Sequence, residues 1–284
     1  MLGQADHVVV TVAGPKAFPW MYRVAPQLSH ATLVEGSTMN AEELLRLGTQ
    51  LVFVAPADPS TPALQRAGLD VVKVGFNSFS SMLDCLAQTV QALDDPRATR
   101  RAEAYRDYLQ QVLADTARRT AAIPPARRPR VLHVVSLAPL KVDGQGTIID
   151  EWIQLAGGRN AAAGLHGNMQ PVSIEQVLAW RPDLIILAAD AGNLADTPQA
   201  TLWRSLPAVQ QGRVYHNPRG VFPWDRYGPE LALQVLWAAQ LLRSGQVDQA
   251  DMQARVRDFY AHFFDYRLSD DEARRILAGL PPGP

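Results

Sequence analysis

The residues with most chemistry to offer lie in two stretches, GPKAFPWMYR (Gly14–Arg23) and NPRGVFPWDRYGPE (Asn217–Glu230). The first gathers Lys16, Trp20, Tyr22 and Arg23. The second gathers Arg219, Phe222, Trp224, Asp225, Arg226 and Tyr227. Cations mixed with aromatic rings suit a planar or aromatic anion, held by bidentate charge-assisted bonds and by stacking. The same composition has a plainer use. A Pro-rich loop packs itself down on its aromatics and aims Arg at nearby carboxylates.

Metal-ligand patterns are sparse. The six histidines are His7, His30, His133, His166, His216 and His262, and none is three or four residues from another, so no local ligand pair forms. His166 and Met169, in GLHGNMQP, precede a helix and are the weak candidates for a metal contact; a solvated loop His is the plainer reading. Cys85 is alone, which excludes an internal disulfide and a thiolate cluster, and its helical setting suits a small buried apolar side chain. GxxxxGK[ST], GxSxG, HExxH and CxxC do not occur, so these signatures give no catalytic assignment.

Two acids repeat. NAEELLRLGTQLVFVA (Asn40–Ala55) and VSIEQVLAWRPDLIILA (Val172–Ala188) share one outline: a polar cap, an acid, an apolar helix, an apolar strand. Glu42 and Glu175 fall at the second helical position if Asn40 and Ser173 are the caps. An acid there complements the helix dipole by about 0.3–1 kcal/mol, which is the plainer account. These helices follow strands, so both acids would also flank a cleft, one per lobe, as a two-point contact for basic residues of a partner.

The elements that must position these residues alternate. VVVTVA, LVFVA and the run ending DVVKV read as strands in the first half; VLHVVSL, LIILAA and RVYHNP read as strands in the second. Asn40 with Glu43 and Ser173 with Gln176 read as capping boxes. From Ser78 to Ile123 the pattern is helical, broken at Asp95–Pro96, and IPPARRPR reads as a linker. PELALQVLWAAQLL and the final stretch are helical. The fold class expected is α/β: two lobes with mostly parallel sheets flanked by helices, joined by one long interdomain helix. The divisions are residues 1–95, 96–128 and 129–284. In such sheets ligands bind beyond the carboxyl ends of the strands, where both cation–aromatic stretches lie.

Bulk properties agree. A chain of 284 residues is comfortable for two lobes. A composition 47% hydrophobic and 19% charged is globular, and a net charge of -1 argues against a nucleic-acid partner. Only Lys16, Lys73 and Lys141 are lysines, so most cationic contacts are forked guanidinium ones. No run reaches the ~18 apolar residues of a membrane span. MLGQADHVVV does not read as a signal peptide.

The order and spacing of NAEELLRLGTQLVFVA, LQRAGLDVVKV, IIDEWIQLAGGRNAA, QPVSIEQVLAWRPDLIILA, WRSLPAVQQGRVYHNP and RDFYAHFFDYRLSDDEARRIL resemble a known family. These are the periplasmic substrate-binding proteins of ABC importers for iron-siderophores, haem and cobalamin, of the class with a rigid interdomain helix. The resemblance implies a periplasmic or other extracytoplasmic receptor that is not an enzyme and has no cofactor of its own. It would hold a chelated metal, a ferric siderophore first, and deliver it to an ABC transporter permease dimer. By position Glu42 and Glu175 would dock on permease arginines. Relative to the family pattern, MLGQADHVV starts inside the phrase that ends the first helix. The first strand and most of that helix are then missing from the sequence, which would expose sheet edge unless another segment fills the gap. The alternatives are a two-lobed α/β enzyme acting on a phosphorylated or nucleotide-sugar substrate, with Arg219 and Arg226 on phosphate, and a docking module without a ligand.

Overall fold

The computed structural model describes residues 1–34 and 40–283. In the N-terminal lobe, β1 (Val10–Thr11), α1 (Pro19–Val24), β2 (Thr32–Leu33), α2 (Ala41–Arg46), β3 (Leu51–Val54), α3 (Thr61–Arg66), β4 (Asp70–Lys73) and α4 (Phe79–Leu93) follow in order. Helix α5 (Pro96–Thr120) then leads to the C-terminal lobe. That lobe contains β5 (Arg130–Leu137), β6 (Leu140–Val142), α6 (Ile148–Leu155), β7 (Arg159–Asn160), β8 (Gln170–Pro171), α7 (Ile174–Trp180) and β9 (Leu184–Leu187). It closes with α8 (Ala200–Arg204), α9 (Pro207–Gln210), β10 (Val214–His216), α10 (Leu231–Ser244), α11 (Gln249–Phe264) and α12 (Asp270–Leu277).

The C-terminal sheet runs β10-β9-β5-β6-β8, with β7 also on β5. Strands β10, β9, β5 and β7 pair in parallel, while β6 pairs antiparallel with β5 and β8. The expectation of mostly parallel sheets holds, and the antiparallel β6–β8 flank is an addition to it. In the N-terminal lobe β1 pairs β2 and β3 pairs β4, both in parallel, as separate two-stranded sheets. Strand β1 is shorter than the VVVTVA run, and Val9 and Val12 beside it are exposed, as is Phe53 of β3.

Residue alternation along β5 sends Val131 to one face and Leu132 and Val134 to the other. Three cores result. The largest joins α5, α6, α10, α11 and α12 to one face of the C-terminal sheet, and also takes in Trp20 and Phe79 of the N-terminal lobe. A second covers the other face with Ile174 and Val177 of α7 and Trp203 of α8. The third is small: Leu44, Val52, Val54, Leu64 and Leu69. Helix α5 is 25 residues long, and its interior positions Tyr105, Leu109 and Val112 recur at helical spacing on its buried face. Among the described residues no helix is long and apolar enough to cross a membrane.

Candidate functional site

The helices that carry the two acids are capped as polar residues before an apolar run require. The Ser173 side chain accepts from the Gln176 backbone and Gln176 answers on the Ser173 N–H, a complete capping box. Asn40 instead accepts from the Glu42 N–H at 2.9 Å, and the box with Glu43 is not formed. Glu42 and Glu175 both sit at the second helical position and both are exposed.

The two cation–aromatic loops meet between the lobes. Phe18, at the start of α1, stacks on Phe222 with ring centroids 5.3 Å apart and planes inclined by 6°. Stacking of this kind contributes ~0.5–1.5 kcal/mol beyond area burial. The Arg219 guanidinium lies 6.0 Å from the Phe18 ring centre. Arg219 also donates to the Ala17 carbonyl oxygen at 2.5 Å and approaches Asp190 at 3.4 Å. On the other side of the loop, Tyr227 sets its edge on Phe76 at 5.5 Å and accepts from Asn168 Nδ2 at 2.8 Å. Tyr227 is 45% exposed and its φ of 43° is in the left-handed region.

Other candidates from these loops point elsewhere. Trp20 and Trp224 were expected at the cleft, but they are 1% and 0% exposed. The Trp20 indole N–H donates to the Leu280 carbonyl at 2.8 Å, and the Trp224 indole donates to Glu230 Oε1 at 3.0 Å. Both pack as core residues because a buried indole N–H must find an acceptor, and each finds one inside. Tyr22 donates to the Ala13 carbonyl, and Arg23 pairs with Glu272 at 3.5 Å, on the side of α12. Lys16 is exposed in the loop after β1. His166 Nε2 lies 2.8 Å from Gln145 Nε2, and Met169 is exposed beside Asn168. Among the described residues no group of three or more His, Cys, Asp or Glu is placed to hold a metal.

Arg226 is committed to a buried ionic cluster that the sequence reading missed. It reaches Asp225 at 2.8 Å and Asp143 at 3.3 Å. His133, fully buried on β5, lies between the same two carboxylates. Its Nδ1 is 2.8 Å from Asp143 Oδ2, and its Nε2 is 3.2 Å from Asp225 Oδ2, outside hydrogen-bond alignment. Burial opposes charge on the imidazole, but Asp143 and Asp225 outweigh it and hold the His133 pKa above its ordinary value. Burial likewise opposes ionisation of Asp225, yet His133 and Arg226 hold its carboxyl far below the usual range. A second missed residue, Glu230, is fully buried and accepts from Trp224 Nε1, Tyr260 Oη and the Phe222 N–H. Burial pushes its pKa up to about 7. Together the cluster and Glu230 pin the loop that presents Arg219, Phe222 and Tyr227. The sequence signals were a lone His inside an apolar strand and an acid at the head of an apolar helix.

A two-lobed α/β chain with cations and aromatics at the strand ends between the lobes defines a ligand-binding protein of the cleft type. The chain belongs to the periplasmic binding protein family, whose model matches residues 2–219. It is similar to the molybdate-binding protein MolA of Haemophilus influenzae, 24% identical over 280 residues, spanning 89% of this chain and 78% of that protein. It is also similar to the vitamin B12-binding protein of Vibrio cholerae, 30% identical over 184 residues and covering 63% of each. A solved periplasmic solute binding protein from Veillonella parvula superposes with a TM-score of 0.76 at 27% identity, over 93% of this chain and 83% of that one. These relatives are binding proteins, not enzymes, which sets aside the enzyme acting on a phosphorylated or nucleotide-sugar substrate.

Proposed function

We propose that this chain is the substrate-binding receptor of an ABC importer and that its cargo is an anionic metal chelate, a ferric siderophore first. The relatives named for molybdate and vitamin B12 support a metal-bearing cargo class. The observation that carries the reading is the meeting of Arg219, Phe18 and Phe222 between the lobes. Arg219 supplies a forked cation for the anion, and the rings supply a stacking surface. Tyr227 and the exposed Lys16 complete the contact set, with Trp20, Trp224 and Arg226 supporting it from behind. Arg226 is already offset by two carboxylates, so it contributes little net charge to a ligand. The receptor works on the extracytoplasmic side and docks on the permease dimer through Glu42 and Glu175.

Thermal shift and equilibrium dialysis against ferric siderophores, haem, cobalamin, nickel-histidine and molybdate test it. A ligand at about 100 times its Kd should stabilise the protein by ~2.7 kcal/mol, with saturable retention in dialysis. A cooperative melt that shifts with none of these compounds is the result that defeats the receptor reading.

A further inference from the structure

The amino ends of the C-terminal strands carry a row of arginines, on the edge of the sheet opposite the cleft. Arg130 opens β5, Arg159 opens β7, Arg181 caps the end of α7 shortly before β9, and Arg213 immediately precedes β10. Hydrogen bonds across the sheet set this row at one level. The Asp183 N–H donates to the Arg130 carbonyl at 2.8 Å, the Ile185 N–H to the Arg213 carbonyl at 3.0 Å, and the Arg159 N–H to the Pro129 carbonyl at 2.9 Å. Strands lie about 4.8 Å apart, so the row from β10 across β9 and β5 to β7 spans roughly 14 Å. Asp183, the acid in the row, is occupied by Arg130, which meets its two oxygens at 3.0 and 3.1 Å. Part of the row has a structural use, because helices end at this edge and cations answer the negative ends of their dipoles. Arg128 donates to the Ile123 and Gln154 carbonyls, and Arg130 to the Trp180 carbonyl. Arg127, Arg159, Arg181 and Arg213 are different. All four are exposed, and among the described residues none of their guanidinium groups makes an ion pair or a hydrogen bond. Neighbouring strands are closer than the ~8 Å screening length of physiological salt, so crowding like charges here does the fold itself no service.

We infer that this arginine edge is a docking surface for an anionic phospholipid bilayer. A guanidinium meets a phosphate with two parallel N–H bonds and sheds its water more readily than an ammonium, which suits a row of exposed arginines to a layer of phosphodiester headgroups. The net charge of -1 gives no overall attraction to such a surface, so the attraction comes from how the charge is distributed. Helix α7 shows the distribution in miniature: the exposed Glu175 lies in its first turn and the exposed Arg181 at its C-terminal cap. A bilayer that attracts the arginine edge repels the exposed acids at the other end of the strands. The chain then lies with its amino-end edge on the lipid and the strand carboxyl ends, with the cleft, turned toward solvent. The inference goes beyond the receptor reading and holds whatever the cargo is, since it uses none of the cleft residues.

The test is co-sedimentation of the whole chain with phosphatidylglycerol vesicles and with phosphatidylcholine vesicles, at low salt and at about 0.5 M salt. The same series is run on a triple variant, Arg159→Gln with Arg181→Asn and Arg213→Gln, where asparagine suits the left-handed backbone of position 181. A second triple variant places Lys at all three positions. Melting curves establish that both fold. The expected result is binding to phosphatidylglycerol alone, released by the higher salt. Loss of three cations should lower the partition coefficient about a hundredfold, while the Lys variant keeps most of it. Equal binding by the Gln/Asn variant, or no preference for phosphatidylglycerol over phosphatidylcholine, overturns the inference. Two further outcomes also overturn it: displacement from vesicles by inorganic phosphate at constant ionic strength, which marks a site for free anions, and retention on polyglutamate but not on vesicles, which marks an acidic protein partner. Every one of these results leaves the receptor reading standing, because that reading is decided by cargo binding.

Discussion

His133 Nδ1 lies 2.8 Å from Asp143 Oδ2 inside the C-terminal lobe, with both side chains fully buried. A strand interior is an expensive place for an ionisable ring unless partners surround it. Here Asp225 closes on the other nitrogen and Arg226 balances the second carboxylate. The His133 pKa is raised, so its contribution to stability is complete below the ordinary imidazole value of ~6.5 and is lost as pH rises through the folded value. Asp225 has the opposite sign. Its depressed pKa gives a contribution present above ~3.9 and lost as pH falls through the folded value. His133→Asn should cost ~3–5 kcal/mol at pH 6, because it leaves two buried carboxylates sharing Arg226 as their one remaining cation. Urea unfolding at pH 6 and pH 9 measures this. A variant as stable as the parent at pH 6 would falsify the assignment.

Glu230 carries a second pH signature. Its pKa rises to about 7 by burial, against the ordinary 4.5 of an unburied glutamate. Folded protein therefore holds a proton that unfolded protein has released, and stability falls as pH climbs through that window. At ~1.4 kcal/mol per pKa unit the full effect is roughly 3 kcal/mol. Glu230→Gln should flatten this slope. It should also cost ~1–3 kcal/mol, since the amide turns a donor toward either the Phe222 N–H or the indole and phenol of Trp224 and Tyr260. Unfolding free energies at pH 4.5, 6 and 8 for both proteins are the measurement; parallel curves reject the assignment.

Trp20→Phe keeps the apolar bulk of α1 but deletes the 2.8 Å bond to Leu280, about 1 kcal/mol of stability. The Leu280 carbonyl then needs water or another donor. Chemical denaturation reads the change. Acrylamide should quench most of the parent's tryptophan emission weakly, because five of the six tryptophans, Trp20, Trp152, Trp203, Trp224 and Trp237, are below 5% exposed and Trp180 alone is half-buried. Strong quenching of the folded parent contradicts the packing described.

Reversal of the two exposed acids addresses docking apart from binding. Glu42→Lys with Glu175→Lys should abolish stimulation of a reconstituted cognate importer's ATPase. Ligand affinity and melting temperature should change little, since surface substitutions of this kind act within ~0.5 kcal/mol. Undiminished stimulation by the double variant removes these residues from the docking surface.

How much was legible follows from how local each signal is. The Ser173–Gln176 box, the break at Asp95–Pro96 and the runs of β3, β5 and β9 depend on neighbours within a few residues, and they appear where the patterns put them, whereas VVVTVA shrinks to the two residues of β1. Helix α1 read as loop because prolines surround it, although Pro19 occupies the first helical position, where proline is favoured. Strands β7 and β8 are two residues long, too short to carry a period. The sides taken by Trp20, Trp224 and Arg226 were hidden for another reason. Their partners are tertiary: Leu280 is 260 positions from Trp20, and Asp143 is 83 from Arg226. No spacing rule reaches that far.

The difference in core size between the modules that carry Glu42 and Glu175 has a mechanical consequence. Among the described residues, helix α2 is held by a cluster of five buried apolar side chains, while α7 rests on a cluster of thirteen. Local opening follows buried apolar contact, so amide protons around β3 and β4 should exchange well before those of β5 and β9. One acid is thus mounted on a yielding support and the other on a stiff one. A surface meeting both would find a fixed reference at the C-terminal lobe and compliance at the N-terminal one, which tolerates misalignment at the cost of a slower, asymmetric grip.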